Sequence, residues 1–123
     1  MFDHIGIHTR DLDQSVAFYR EALGALGHTL ASSGDGYAGL GPADAPALWL
    51  YAASDTHQAA HGSHIAFRAT SRAAVDDFHA KGLRAGGRDN GKPGLRADYG
   101  PGYYAAFLID PDGNNVEAVF MEA

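Results

Sequence analysis

The sequence predicts an α+β fold in which two βαβββ repeats form curved mixed sheets around a cavity. The first observation is an internal echo: His4-Ile5-Gly6-Ile7 returns sixty residues later as His64-Ile65-Ala66-Phe67. The same shift pairs Phe18 with Phe78, Leu23 with Leu83, Ala25 with Ala85 and Gly27 with Gly87. The second is that each copy reads as a strand, an amphipathic helix and further short strands. Neither copy can bury its apolar face alone, so the two pack and bring equivalent positions close to a pseudo-twofold axis. The third is size: 123 residues with 46% apolar content suit a single domain, repeat one spanning 1–56 and repeat two 61–123.

Phe2 to Thr9 alternates as a strand, with Ile5 and Ile7 on the core face and His4, Gly6 and His8 opposite. Asp11 is the predicted N-cap of a helix carrying Leu12, Val16, Tyr19 and Leu23, with Gln14 three residues on and Gly24 as C-cap. Strands follow at Thr29–Ser33, Tyr37–Leu40 and Ala47–Ala52, separated by glycine- and proline-bearing turns. In the second copy His64 to Ala69 is the strand, and Ser71 caps a helix with Val75, Phe78 and Leu83. Tyr103 to Ile109 and Asn115 to Phe120 are its last two strands. Between Gly82 and Gly102 seven glycines and two prolines predict one short strand and a lid.

Composition removes several classes of function. Nine basic against fifteen acidic residues give a net charge of −6, which disfavours a nucleic-acid or anionic-membrane surface. No cysteine is present, which excludes disulfides, thiolate metal sites and a cysteine nucleophile. No basic leader precedes an apolar stretch and no apolar run approaches a membrane span of roughly 18 residues, so the expectation is a cytoplasmic protein.

Asp110-Pro111-Asp112-Gly113 has the residue order of a type I turn and sets the register of the last strand. Alternation then places Glu117 opposite Val116, Ala118 and Phe120. If that face lines a cavity, the buried carboxylate needs a cation or hydrogen-bond donors.

Taken together, the paired units, the two strand-opening histidines and Asp110-Pro111-Asp112-Gly113 followed by Glu117 resemble the vicinal oxygen chelate superfamily. That group spans glyoxalases, bleomycin-resistance proteins and extradiol dioxygenases, and the resemblance covers the whole chain. It implies that His4, His64 and Glu117 bind one divalent metal, with Glu117 also catalytic, and that the cavity is completed by a homodimer. Two imidazoles and a carboxylate suit Zn²⁺, Fe²⁺, Ni²⁺ or Mn²⁺ and leave positions open for a substrate chelating through adjacent oxygens. Such a cation would polarise a substrate oxygen and stabilise the oxyanion that develops. The plain alternative is two strand-end histidines and an exposed glutamate.

Departures from subfamilies narrow the reaction. Where glyoxalase I has a fourth ligand, a glutamate, this sequence offers Ala47-Leu48-Trp49-Leu50-Tyr51. Extradiol dioxygenases carry a histidine and a tyrosine in regions held here by Asp98-Tyr99-Gly100 and Phe107. The fosfomycin enzymes share the Leu48-Trp49-Leu50 pattern but extend into a basic tail, whereas this sequence runs from Glu117 only to Ala123. The segment Gly86 to Gly113 most resembles uncharacterised glyoxalase-like proteins.

Further candidates are read from the face each residue occupies. Tyr103 and Tyr104 point to opposite faces, and one of them is a candidate proton donor, packing being the alternative. Trp49 and Tyr51 share a face as cavity lining or core. His8 shares the His4 face as a substrate-binding or packed residue. Asn90, Lys92 and Arg96 lie where a lid would meet an anionic substrate, or on a solvated loop. His57 and His61 belong to a polar linker and read as solvated, and His28 and His79 as structural or exposed. Two functions follow: a metal-dependent lyase, isomerase or thiol transferase, and a metal-free drug-binding protein of the bleomycin-resistance kind.

Overall fold

Two helices of equal length, α1 (Leu12–Gly24) and α2 (Arg72–Arg84), keep the sixty-residue offset in a computed structural model that describes residues 1–122. Ala123, the end of repeat two, lies outside the described residues. The strands are β1 (Ile5–Thr9), β2 (Thr29–Gly34), β3 (Tyr37–Gly41), β4 (Leu48–Ala52), β5 (His64–Arg68), β6 (Arg88–Leu95), β7 (Tyr103–Ile109) and β8 (Asn115–Met121). Each repeat builds its own four-stranded sheet, ordered β1-β4-β3-β2 and β5-β8-β7-β6. In both, the first strand pairs in parallel with the last and the other pairs are antiparallel. This is the expected pair of βαβββ units with mixed sheets.

Each helix covers one face of its own sheet, α1 against β2, β3 and β4, and α2 against β6, β7 and β8. The helices also touch each other, which joins the halves through Phe18, Tyr19, Leu23, Val75 and Phe78, all buried, with Leu50, Leu108 and Val116 beneath. Asp11 caps α1 as expected, its carboxylate accepting from the Gln14 N–H at 3.1 Å, and Ser71 caps α2 through the Ala74 N–H at 3.0 Å. The C-terminal assignment to Gly24 is corrected. Gly24 is the last helical residue, and the reversal falls at Gly27, whose φ of +90° only glycine adopts readily.

The echo breaks at Leu83, the counterpart of Leu23. Leu83 is 39% exposed, whereas Leu23 is buried. Gly82 takes the packing position instead, close enough to Leu108 that a Cβ would collide with it. The glycine-rich segment is also corrected. Instead of a short strand and lid it forms the eight-residue β6, paired with β7 through two register shifts around Gly91. The shifts accommodate Lys92 and Pro93, and Pro93 therefore needs no ladder donor.

The turn at Asp110–Gly113 does more than set register. Asp110 is buried and accepts from the Tyr19 hydroxyl at 2.6 Å and from the Asp112 and Asn114 backbone N–H groups at 2.9 Å. Asp112 accepts from the Thr9 hydroxyl and from Arg10 through its backbone N–H at 3.1 Å and its Nε at 3.0 Å. The turn of repeat two is thereby bolted to the β1–α1 junction of repeat one, so the two sheets hold a set relation.

Candidate active site

The faces not covered by helices carry the chemistry. Pairing register relates them: Trp49 stands beside Gly6 as Glu117 stands beside Ala66. Trp49 thus occupies in sheet one the position Glu117 holds in sheet two.

On the open face of sheet two, Glu117 is 2% exposed, yet neither carboxylate oxygen lacks a partner. The His64 Nε2–H donates to Oε1 at 2.8 Å, and the Tyr103 hydroxyl donates to Oε2. The buried carboxylate is therefore satisfied by donors within its own repeat, one of the two resolutions the sequence left open. Burial first, and then the hydrogen bond to Glu117, pushes Tyr103 up to about 12, so its hydroxyl keeps its proton at neutral pH. Tyr99 meets the Tyr103 ring edge-on at 5.3 Å, and the Phe107 and His64 rings lie 6.3 Å apart.

On sheet one a cleft of about 440 Å³ is lined by Asp3, His4, Tyr37, Pro46, Trp49 and Tyr51. His4 precedes β1, where its Nδ1 lies 2.6 Å from the Asp3 carboxylate. The cleft floor is built by rings lying over glycines. A Cβ on Gly39 would come within 2.8 Å of Trp49, and one on Gly6 within 2.8 Å of Tyr51. Gly39→Ala is accordingly expected to tilt the Trp49 ring at a cost of about 1 kcal/mol. As Trp49 is the single tryptophan, its fluorescence emission reports this directly, and an unchanged spectrum would contradict the stacking.

Other predicted residues divide clearly. His8 stacks on His57 with ring centroids 4.9 Å apart and tilts against Tyr51 at 5.4 Å, so it walls sheet one. Asn90 and Arg96 line a second cleft beside His64, on sheet two, with Phe107 and Asn115. Lys92 is exposed, and its carbonyl receives the Arg96 guanidinium at 2.6 Å. Tyr104 is corrected as a catalytic candidate. Alternation sends it to the helix side, where its hydroxyl donates to Asp76 at 2.6 Å and Arg72 lies over its ring at 4.8 Å. His79 is buried against Asp89 at 2.8 Å, as a structural histidine. His61 lies with Nδ1 2.9 Å from the Asp112 carbonyl, serving the inter-repeat turn. The sequence reading missed Tyr37, Tyr99, Phe107 and Asn115, although alternation along β7 and β8 already puts Phe107 and Asn115 on the face of Glu117.

His64 and Glu117 come together, whereas His4 sits in the other cleft. Among the described residues no three His, Asp or Glu side chains converge within one chain. The donor chemistry of the pair fits a divalent cation: the facing atoms are an imidazole nitrogen and a carboxylate oxygen, and replacing the proton between them with a cation keeps both satisfied. Tyr103 would continue to orient the second carboxylate oxygen.

A domain of two βαβββ units, each with its own four-stranded mixed sheet, defines an α+β class of protein. The sequence profile of the Glyoxalase/Bleomycin resistance protein/Dioxygenase superfamily matches residues 1–118, and the chain belongs to that superfamily. The crystal structure of a glyoxalase/bleomycin resistance protein from Albidiferax ferrireducens T118 is 31% identical, with a TM-score of 0.85 and 99% of each chain covered. A glyoxalase/bleomycin resistance protein/dioxygenase family enzyme from Burkholderia phytofirmans PsJN shares the fold at 20% identity, with a TM-score of 0.73 and 98% of each chain covered. Lactoylglutathione lyase from Agrobacterium tumefaciens does so at 20% identity and a TM-score of 0.67, over 98% of this chain and 92% of that one. Comparison with curated proteins gave no match. No helix among the described residues is long and apolar enough to cross a membrane.

Proposed function

We propose that the protein is a metal-dependent glyoxalase-like enzyme, a lyase, isomerase or thiol transferase, acting on a small molecule that chelates the cation through adjacent oxygens. The observation that carries this reading is the His64–Glu117–Tyr103 chain on the open face of sheet two. Its missing third ligand, His4, stands on the open face of sheet one. A homodimer in which sheet one of one copy covers sheet two of another brings the three together. Tyr37, Tyr51, Tyr99 and Met121, large apolar residues left exposed in the single chain, support such an interface.

A divalent cation bound there supplies Lewis-acid polarisation of the substrate oxygens. His64 and Glu117 hold it, Tyr103 orients Glu117 and offers a proton close by, and Trp49 contributes an apolar wall where a second carboxylate would otherwise sit. Metal analysis of protein purified without chelator is expected to give stoichiometric Zn, Fe, Ni or Mn. Protein free of metal, and taking up none on titration, would sink the proposal. A metal-free binding protein is the second reading, favoured by one observation: both Glu117 oxygens are already satisfied without a cation. It predicts ligand binding unaffected by a chelator.

A further inference from the structure

Resting on that reading and deepening it, we propose that the cleft beside His64 is the subsite for the carboxylate group of the substrate, with Arg96 as its anchor. The cleft, about 310 Å³, is lined by Asn90, Gly91, Arg96, Tyr99, Phe107 and Asn115. Arg10 and Arg72 each lie on a carboxylate, at 3.0 and 2.8 Å, whereas among the described residues Arg20, Arg68, Arg84, Arg88 and Arg96 have no carboxylate partner. Of these, Arg96 is the one whose guanidinium is nevertheless fixed by hydrogen bonds. Its Nη1 donates to the Gly94 carbonyl at 2.9 Å and its Nη2 to the Lys92 carbonyl at 2.6 Å, and its guanidinium lies over the Phe107 ring at 5.4 Å. Two of five N–H donors are spent, and the rest are held in place by contacts that do not neutralise the charge.

The strand is shaped around this side chain. A Cβ on Gly91 would lie 2.9 Å from Phe107 and 3.3 Å from the Arg96 guanidinium, and one on Gly94 would lie 3.2 Å from it. The register shifts of β6 fall at these glycines. Beside them Asn90 Nδ2 donates to Asn115 Oδ1 at 3.2 Å, which leaves the Asn115 amide protons for a ligand. A half-buried cation flanked by amide donors recognises an anion, and the planar fork matches a carboxylate in two parallel hydrogen bonds. One guanidinium with no lysine in the lining balances a monoanion better than a dianionic phosphate. Asn115 is the register partner of His64, so a carboxylate seated here places the adjoining part of the molecule beside Glu117.

The test is titration of the ¹⁵N-labelled protein with benzoate, benzamide and phenyl phosphate, in chelator, following the Arg96 Nε–H and the Asn90 and Asn115 side-chain amides. Benzoate in the millimolar range is expected to shift these signals, benzamide to leave them in place, and phenyl phosphate to bind more weakly than benzoate. Arg96→Gln should weaken benzoate by about tenfold, the size of one lost charge-assisted pair. Equal binding of benzamide, tighter binding of phenyl phosphate, undiminished binding in Arg96→Gln, or no benzoate shift at all would each overturn the assignment. Benzoate binding to Glu117→Gln separates the two proposals: a metal site can fail while the carboxylate subsite stands, and the reverse.

Discussion

Asp110→Ala is expected to remove roughly 3–5 kcal/mol of folding stability, since each buried donor left without its acceptor costs about 1–3 kcal/mol, a large share of the total for a domain of this size. Asp110 is buried and answers the Tyr19 hydroxyl and the Asn114 side-chain amide at 3.0 Å as well as two backbone N–H groups. Its loss strands those donors where water cannot replace the acceptor. Burial, the largest cause of the raised Tyr19 pKa, persists without Asp110, so no ionisation of the hydroxyl relieves the loss. Tyr19→Phe, which leaves Asp110 with its remaining donors, should cost less, about 1–3 kcal/mol. Urea unfolding of both variants measures the difference, and equal small losses would show that the turn does not join the repeats.

The same junction has a pH signature. Burial alone would raise the Asp112 carboxyl, but the Thr9 and Arg10 hydrogen bonds hold it below the ordinary value of 3.8. A carboxyl depressed in the folded state contributes stability above its unfolded value and loses it as the pH falls through the folded one. The junction is therefore expected to be intact at neutral pH and to weaken only in acid below about 4.

Glu117→Gln is expected to reduce metal affinity more than about 100-fold, since partners one step removed from a cation already account for 10–100-fold. The amide still accepts from Tyr103, so the fold should persist, which far-ultraviolet circular dichroism would verify. Tyr103→Phe, which spares all three proposed ligands, should fall within that smaller range. A Glu117→Gln protein that retains stoichiometric metal would remove the carboxylate from the site. Loss of metal with the fold intact separates a ligand from a structural residue.

Much of this arrangement was legible in the chain. The capping residues Asp11 and Ser71 located the start of both helices, because a side-chain acceptor before an amphipathic run is a local signal. Alternation in β8 put Glu117 opposite Val116 but left its burial open, and packing buries it. Other features depend on packing that no local pattern encodes. Leu83 and Leu23 are equivalent in sequence, yet the close approach of Leu108 to Gly82 decides which position is buried. The β6 segment looked irregular because two register shifts interrupt its alternation, although its backbone pairs with β7 on both sides of them. Asp110 and Asp112 looked like ordinary turn residues, since their partners Tyr19, Thr9 and Arg10 are about a hundred residues distant in the chain. Tyr103 and Tyr104 could be separated by face but not assigned a role until Glu117 and Asp76 were located.

The central claim is that His4 of one copy completes the site that His64 and Glu117 begin in another. His4→Ala and His64→Ala proteins, each purified alone, should bind no metal. Unfolded together, refolded and titrated, the pair should regain metal, because one of the two sites in each mixed dimer keeps an intact His4, His64 and Glu117. Metal analysis of the refolded mixture reads this directly. Recovery in the mixture and in neither variant alone is the predicted result. No recovery in mixed dimers, or full metal in either variant by itself, would contradict the account.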